Sequence, residues 1–565
     1  MIIGLDVGGT HTDVVLLGEN GIERRAKVPT DAPCLFDAVF SGLEQITRGI
    51  SAEKISHAVL STTLTTNAIV QEKLPPAGMI VTCGPGIDPE YFRTGQHYYV
   101  VGGAMDHSGR EITRLDEQAV RRAAEKMKDA GIDYAGVAGK FSIRNPSHEK
   151  RIIEIIAPMF KKVFPGHAVS GNFSFPRRIT TTFLNASVYR LHKDFFQAVK
   201  NSLEQKGMDL PIYILKADGG TMGLETSVDF PAQSILSGPA ASVMGSIAFA
   251  RKDAETIVLD IGGTTTDMAV LINGVPVLAP QGIEIDGHKT LIRALQSQSV
   301  GVGGDSTVRV EQGHIFIGPE RSGPAMAYGG PEPTPTDALF VLGLAEGGDR
   351  DRAGQGIGDI GRQLGLTPQQ AARRIFDQAC REILDYAREL ISLINSRPVY
   401  TVREALHGHR INPANLLVLG GPAPQFARHL EDISGFDVET VPQWDVANAV
   451  GTALSRTTCE VTLFADTYKL EVSAPEEMFQ QSLKPGFTIA EARELAGELL
   501  RKKAAREGAG RQDIETDVLE EFEFNMVRDF RMIGKNIRIK MQVRPGLIHE
   551  YRQIAGRIKN GENPC

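Results

Sequence analysis

The sequence predicts an α/β protein built from two related halves and closed by a small α+β appendage. Three observations carry the prediction. A thirteen-residue segment occurs twice, at residues 5–17 and 259–271. A buried-strand run, Leu416 to Leu419, ends in Gly420-Gly421 and leads into a helical pattern from Gln425 to Leu430. A charge-rich helical pattern over residues 486–507 gives way to alternating apolar and basic residues between Phe522 and Val543. The expected division is residues 1–175 for the first half, 176–455 for the second and 456–565 for the appendage.

The two copies read LDVGGTHTDVVLL and LDIGGTTTDMAVL, identical at eight of thirteen positions. In each, an apolar run (Ile2 to Leu5; Ile257 to Leu259) enters Asp6 or Asp260. A Gly-Gly-Thr turn follows, and a second apolar run (Val14 to Leu17; Met268 to Ile272) leaves it. Two short apolar runs joined by a glycine turn predict a β-hairpin. A dinucleotide fingerprint or a P-loop places a helix after its glycines, and no GxxxxGK[ST] occurs in the chain.

The turn suits phosphate. Gly8, Gly9, Gly262 and Gly263 lack Cβ atoms, so their N–H groups can come close to anionic oxygens. Thr10, Thr12, Thr264, Thr265 and Thr266 add hydroxyl donors. The carboxylates of Asp6, Asp13, Asp260 and Asp267 would repel a phosphate directly; they suit a Mg²⁺ held through its waters, or the orientation of an attacking group. Asp6, Asp260 and Asp267 are the candidate catalytic residues, Asp6 and Asp260 the candidate metal residues, and Asp13 joins the nucleotide contacts. Gly420 and Gly421 would let a flat ring such as adenine lie against the backbone. Residues 237–245 and 445–454 are rich in small side chains and predict helices that pack closely against a partner.

In order, the pieces are phosphate hairpin, small-residue helix, phosphate hairpin, adenine turn, small-residue helix. That order resembles the actin-like (ribonuclease H-like) ATPase superfamily, whose duplicated domains close on a nucleotide; the resemblance implies ATP and Mg²⁺ as cofactors. A narrower resemblance rests on Ile3 to Asp13, Ser61 to Ala68, Thr181 to Ala186, Lys216 to Gly220, Leu236 to Ala241, Val300 to Ser306, Ile317-Gly318-Pro319 and Pro335 to Ala338. Together these stretches, running from residue 2 to about residue 345, resemble the ATP-binding subunits of the hydantoinase/oxoprolinase family.

That family implies ATP-dependent opening of a cyclic amide or imide such as 5-oxoproline or a hydantoin. A lactam resists water because resonance makes its carbonyl a poor electrophile. Phosphorylating the carbonyl oxygen removes that protection, mainly by positioning and charge neutralisation. The resemblance also places Gly303 and Gly304 among the nucleotide contacts and implies a second, hydantoinase B-like subunit; a homo-oligomer is a further expectation. Related members are the ATP-using subunits of ketone carboxylases. The chain departs from the family at Asp305, where a glycine is usual, at Met326 in a segment that usually holds a cysteine, and at Leu60 to Thr63, in place of His-Gly-Thr-Thr. These departures bear on the substrate more than on the ATP chemistry. Rival readings are an ATPase that reactivates a partner enzyme and a small-molecule kinase.

Composition excludes other classes. With 565 residues, 42% hydrophobic and 23% charged, the chain has ample material for several cores. A net charge of -8 argues against nucleic acid or an anionic membrane as the main partner. No apolar run approaches the roughly 20 residues that span a bilayer, and the opening lacks a signal-peptide pattern, so a cytoplasmic location is expected. Five scattered cysteines without a CxxC pair fit a reducing compartment. Asp286-Gly287-His288 reads as a metal ligand pair or a turn, and His11 as a ligand contact or a packed residue. Lys73 and Arg93 read as site residues or surface ion-pair partners. The stretch 345–363 reads as a flexible loop, residues 367–406 as helical, and His407-Gly408-His409 as a solvated loop after it.

Overall fold

The computed structural model describes residues 1–30, 35–70, 73–279, 281–396 and 410–559. Both copies of the repeated segment are β-hairpins, and each builds a sheet of the same strand order. In the first, Ile2–Val7, His11–Gly18 and Gly21–Pro29 run antiparallel, while His57–Thr62 and then Ile212–Leu215 add in parallel beyond Ile2–Val7. In the second, Glu255–Ile261, Thr266–Ile272 and Val275–Pro276 form the antiparallel set, and Asn415–Leu419 and Asp437–Thr440 add in parallel. The order third–second–first–fourth–fifth recurs, which is the duplicated actin-like arrangement expected. Thr221–Gly223 closes the edge of the first sheet, so that sheet draws on both sides of residue 175. The runs Val14 to Leu17 and Leu416 to Leu419 are buried because both faces of each sheet are covered.

Two short helices, Ser237–Ile247 and Ala447–Leu454, cross in the space between the sheets. Their small residues are a steric requirement. A Cβ on Gly451 would stand 2.1 Å from the Gly245 nitrogen, and one on Gly4 would stand 2.2 Å from the Ala449 carbonyl oxygen. The expectation of close-packing helices is met.

A third sheet is inserted between the fourth and fifth strands of the first. Its order is Glu111–Thr113, His97–Met105, Gly78–Cys83, Tyr134–Gly139, Lys162–Pro165, parallel except for the first strand. The helix Phe175–Gln205 runs from this insert back to the first sheet and buries side chains on several faces, among them Ile179, Leu184, Val188 and Phe195. From residue 460 to 543 the chain forms the α+β appendage, an antiparallel sheet ordered Phe479–Ser482, Glu471–Ala474, Glu460–Asp466, Arg531–Val543, Thr516–Arg528. The helix Tyr551–Lys559 returns to the first lobe, where Ile554 and Ile558 pack in one cluster with Leu17 and Ile22, so the expected boundary 456–565 is too wide. The helix Ile489–Arg506 starts at a capping box, Thr488 with Glu491, and buries Ala492, Ala496, Leu500 and Ala504 on one stripe.

One expectation is corrected. Residues 345–363 do not form a loop, because Arg350–Leu364 is a helix. The Asp349 carboxylate accepts from the Asp351 and Arg352 N–H groups at 3.0 Å each, and Ala353, Ile357 and Ile360 supply a buried stripe. Each glycine costs about 1 kcal/mol relative to alanine in a helix, yet here glycine also permits contact. A Cβ on Gly356 would lie 2.2 Å from Met326 Sδ. The helix expected over 367–406 is Pro368–Asn395, and His407-Gly408-His409 lies outside the described residues. None of the described helices is long and apolar enough to cross a membrane.

Candidate active site

The two hairpin turns are built alike. Gly8 N–H donates to the His11 carbonyl at 3.0 Å, and Gly262 N–H donates to the Thr265 carbonyl at 2.9 Å. The N–H groups of Gly9, Thr10, Gly263 and Thr264 donate to no acceptor among the described residues. Strand pairing sets Asp6 opposite Asp13 and Asp260 opposite Asp267. Opposed residues of an antiparallel pair share a face, so each hairpin presents two carboxylates side by side. The charge of Asp260 is felt at Asp6, Asp13 and Asp267, and that of Asp6 at Asp267, so the hairpins face each other.

Burial dominates the electrostatics of these carboxylates. Asp6 is 5% exposed, and burial pushes its carboxyl up to about 7. The Ser61 hydrogen bond opposes this, the charges of Asp13 and Asp260 add to it, and an Asn448 hydrogen bond opposes it weakly. Ser61 Oγ donates to Asp6 Oδ1 and lies 3.1 Å from Thr452 Oγ1. Asp13 is pushed up to about 6 by burial, against the attraction of Lys27, whose Nζ donates to it at 2.8 Å. Lys27 also donates to the Asp445 carbonyl at 2.8 Å, tying the first sheet to the loop before Ala447–Leu454. Asp260 accepts from Ser242 Oγ at 2.5 Å and from Asn448 Nδ2 at 3.1 Å. Asp267 is pushed up to about 7 by burial and the Asp260 charge, with a Ser299 hydrogen bond in opposition. The Asn448 amide therefore reaches Asp260 from a crossing helix and also favours the charged form of Asp6.

Other expected contacts divide. Thr12 is a correction: it is fully buried and its hydroxyl pairs with Thr30 Oγ1 at 2.9 Å, so it faces the sheet and offers nothing to a phosphate. Thr266 behaves likewise, donating to the Val302 carbonyl at 2.6 Å. Thr10, Thr264 and Thr265 stay at the turns, partly exposed. Gly303 and Gly304 lie against the second turn, but their N–H groups are spent, on Ser306 Oγ at 2.8 Å and on the Gly262 carbonyl at 2.9 Å. They brace the turn where direct phosphate contact was expected. Gly420 has φ +99, and a Cβ there would stand 2.6 Å from Asp260 Oδ1, so only glycine lets this turn meet the carboxylate. Gly421 opens onto free space.

His11 is exposed, with Nδ1 3.4 Å from Thr10 Oγ1, and so is not a packed residue. Asp286 and Gly287 have φ +48 and +71 and form the turn of an exposed two-residue hairpin. Arg93 pairs with Glu90 at 2.6 Å on the surface, and Lys73 is exposed.

The residues present fit ATP with Mg²⁺. Two turns offer unmatched N–H donors toward a shared space, and the carboxylates between them are held in a state that a cation would relieve. No group of three or more His, Cys, Asp or Glu among the described residues is spaced to hold a metal by itself. Mg²⁺ commonly takes one or two carboxylates and completes its shell with water and phosphate, which is what Asp6 and Asp260 can offer. Sequence reasoning missed Lys27, Ser242, Asn448 and Thr452 as partners. Ser242, Asn448 and Thr452 lie among the few polar residues of helices otherwise built from small apolar ones; Lys27 follows only from its register opposite Asp13.

Two sheets of actin-like order with facing hairpin turns define a two-lobed nucleotide-binding fold. The chain belongs to the hydantoinase/oxoprolinase family: the Hydantoinase/oxoprolinase model matches residues 178–461, and the Hydantoinase/oxoprolinase N-terminal region model matches residues 2–160. The match thus continues well past residue 345, where the sequence resemblance stopped. Caprolactamase subunit alpha of Pseudomonas jessenii is 25% identical over 490 residues, covering 78% of this chain and 68% of the relative. Among solved structures, ATP-dependent acetone carboxylase in its nucleotide-free form superimposes with a TM-score of 0.71 at 18% identity, covering 98% of this chain and 88% of that one. The ATP-dependent caprolactamase of Pseudomonas jessenii does so with a TM-score of 0.69 at 19% identity, covering 96% and 87%. The family therefore includes ATP-dependent enzymes acting on amides and on ketones.

Proposed function

We propose that the chain is the ATP-binding subunit of an enzyme that hydrolyses a cyclic amide or imide of the hydantoin or 5-oxoproline type. The observation that carries this reading is the pair of facing turns with unmatched N–H groups, set over the buried carboxylates Asp6 and Asp260. When bound, ATP with Mg²⁺ supplies the phosphoryl group that turns an inert carbonyl oxygen into a leaving group.

The chain's own residues have these roles. The backbone of Gly8, Gly9 and Thr10 on one side, and of Gly262, Gly263, Thr264 and Thr265 on the other, holds the phosphates. Asp6 and Asp260 hold the metal, kept in place by Ser61, Ser242 and Asn448. Asp267, at about 7 and set across the strands from Asp260, can hold or release a proton near neutral pH and orients the attacking group. Gly420 and Gly421 leave room for the base. A second subunit completes hydrolysis; the caprolactamase relative is itself a subunit of a larger enzyme.

A second reading, the ATP-using subunit of a ketone carboxylase, is favoured by the likeness to acetone carboxylase. The test is ATP turnover with hydantoins, 5-oxoproline and larger lactams in one panel and ketones with bicarbonate in the other, with and without the co-purified partner. Stimulation by an amide supports the hydrolase. Stimulation by ketones alone transfers the assignment to the second reading, and stimulation by neither removes both.

A further inference from the structure

The appendage sheet ends on an open edge. Thr516–Arg528 pairs with Arg531–Val543 on one side, and no backbone hydrogen bond reaches its other side among the described residues. From Glu520 to Arg528 its side chains alternate without interruption, because the two register shifts fall at Leu519 and, in the neighbouring strand, at Ile533. A long open edge is a template for another strand, and proteins usually blunt it.

Here the edge is apolar along one face. Phe522, Phe524 and Met526 share a side, the rings of Phe522 and Phe524 lie 5.9 Å apart, and Phe524 is 61% exposed. The closing turn, Asp529-Phe530, has φ +49 and +62, a conformation usually given to Asn or Gly, yet it carries a fully exposed phenylalanine. The acidic residues of the strand are each paired: Asp517 with Arg544, Glu520 with Arg538, Glu521 with Arg493 and Glu523 with Lys535. Arg528 has no ion pair among the described residues and stands opposite Arg531, a like charge.

The strand is complementary to itself. Two copies set antiparallel about a two-fold axis at Phe524 place Phe524 opposite Phe524, and Phe522 opposite Met526 of the second copy. The same register sets Arg528 against Glu520, whose Oε2 is 3.1 Å from Arg538 and whose carboxylate can accept from a second cation. On the other face Glu521 meets Val527 and Glu523 meets Asn525, so no like charges oppose each other. The tip carries Phe530 toward the exposed Val518 and Leu519 of the second copy. One residue earlier, the axis would set Glu523 against itself; one residue later, Arg528 would fall on Phe522.

We propose that the chain forms a two-fold dimer by pairing this edge with the same edge of a second copy, joining two five-stranded sheets into one. The unmatched Arg528 and the exposed phenylalanines both find partners in that arrangement, and the interface is self-complementary as a two-fold contact must be. The strand shares no residue with the hairpin turns, so the dimer does not depend on the proposed function.

The experiment is sedimentation velocity on the full chain over a concentration series, beside Phe524→Asp and Arg528→Glu. The expected result is a concentration-dependent dimer whose dissociation constant rises about tenfold or more in Phe524→Asp, and by a smaller factor in Arg528→Glu. Opposed Cα atoms lie about 4.5–5.5 Å apart, a span that a disulfide fits. Mild oxidation should therefore link Phe524→Cys into dimers above the wild-type background, and should not link Glu523→Cys. A monomer at about 100 µM overturns the proposal, whether the edge is then found to hold a second subunit or anionic phosphatidylglycerol vesicles. So does a dimer indifferent to Phe524→Asp, or equal linking of the two cysteine variants. Should Phe524→Asp not fold, the cysteine pair decides the matter.

Discussion

The two lobes carry one hairpin motif in two settings. In the second, the turn is braced from behind: Gly304 and Asp305 donate to the Gly262 and Gly263 carbonyls at 2.9 and 2.6 Å. In the first, the Thr10 carbonyl accepts from Thr30 N–H at 2.8 Å, but a Cβ on Gly9 would find no atom nearer than Asn67 Nδ2 at 3.9 Å among the described residues. The carboxylates are treated differently too. Asp13 has Lys27 at 2.8 Å, whereas Asp267 has only the Ser299 hydrogen bond to set against its burial. The difference teaches that the repeated segment specifies the turn and the spacing of its aspartates, while the neighbours decide its rigidity and charge. The second lobe is the more closely braced wall of the cleft.

The largest expected effect tests whether the lobes share the chemistry. Asp6→Asn and Asp260→Asn should each lower ATP turnover by about 10²–10³-fold with an unchanged circular dichroism spectrum. Full turnover in Asp6→Asn would confine the chemistry to the second lobe. Next comes the bracing. In Gly303→Ala the new Cβ would stand 2.7 Å from the Gly263 carbonyl oxygen, and such a backbone clash should cost about 1–3 kcal/mol in thermal unfolding. Gly9→Ala should stay within about 0.5 kcal/mol of wild type. Equal costs would erase the distinction between the walls.

A third expectation concerns pH. Burial lifts Asp6 and Asp267 to about 7 and Asp13 to about 6, above the ordinary 3.8. The folded chain therefore keeps protons that the unfolded chain has released. This contribution to stability is whole below about pH 4 and drains away as pH rises through 7. The melting temperature of the nucleotide-free protein should fall between about pH 5 and pH 8, less steeply in Asp6→Asn. Added ATP with Mg²⁺ should flatten the fall, and an unchanged slope would argue against cation binding at these carboxylates. The smallest effect is that of Ser299→Ala. Losing this hydrogen bond should raise the Asp267 midpoint in the pH–rate profile by less than about one unit.

Much of the site was legible because hairpins are local. The Gly-Gly-Thr turn and its flanking apolar runs need no distant contact to declare themselves, and the Asp6/Asp13 and Asp260/Asp267 pairing follows from the length of the turn. The small-residue helices were legible in kind, though not their crossing at Gly245 and Gly451. The helix Arg350–Leu364 was hidden by its glycines, which local propensity penalises and one of which, Gly356, contact with Met326 requires. Thr12 was misplaced because a turn residue and a strand residue look alike until the register assigns each a face.

By itself, the sequence determined the duplication, the two turns and the carboxylates they carry, since each is a matter of neighbours along the chain. Only the tertiary structure decided which threonines stay at the turns, and that Ser242 and Asn448 reach Asp260 from two crossing helices. Those facts depend on groups tens to hundreds of residues apart, whose meeting is settled by packing and by the exclusion of water.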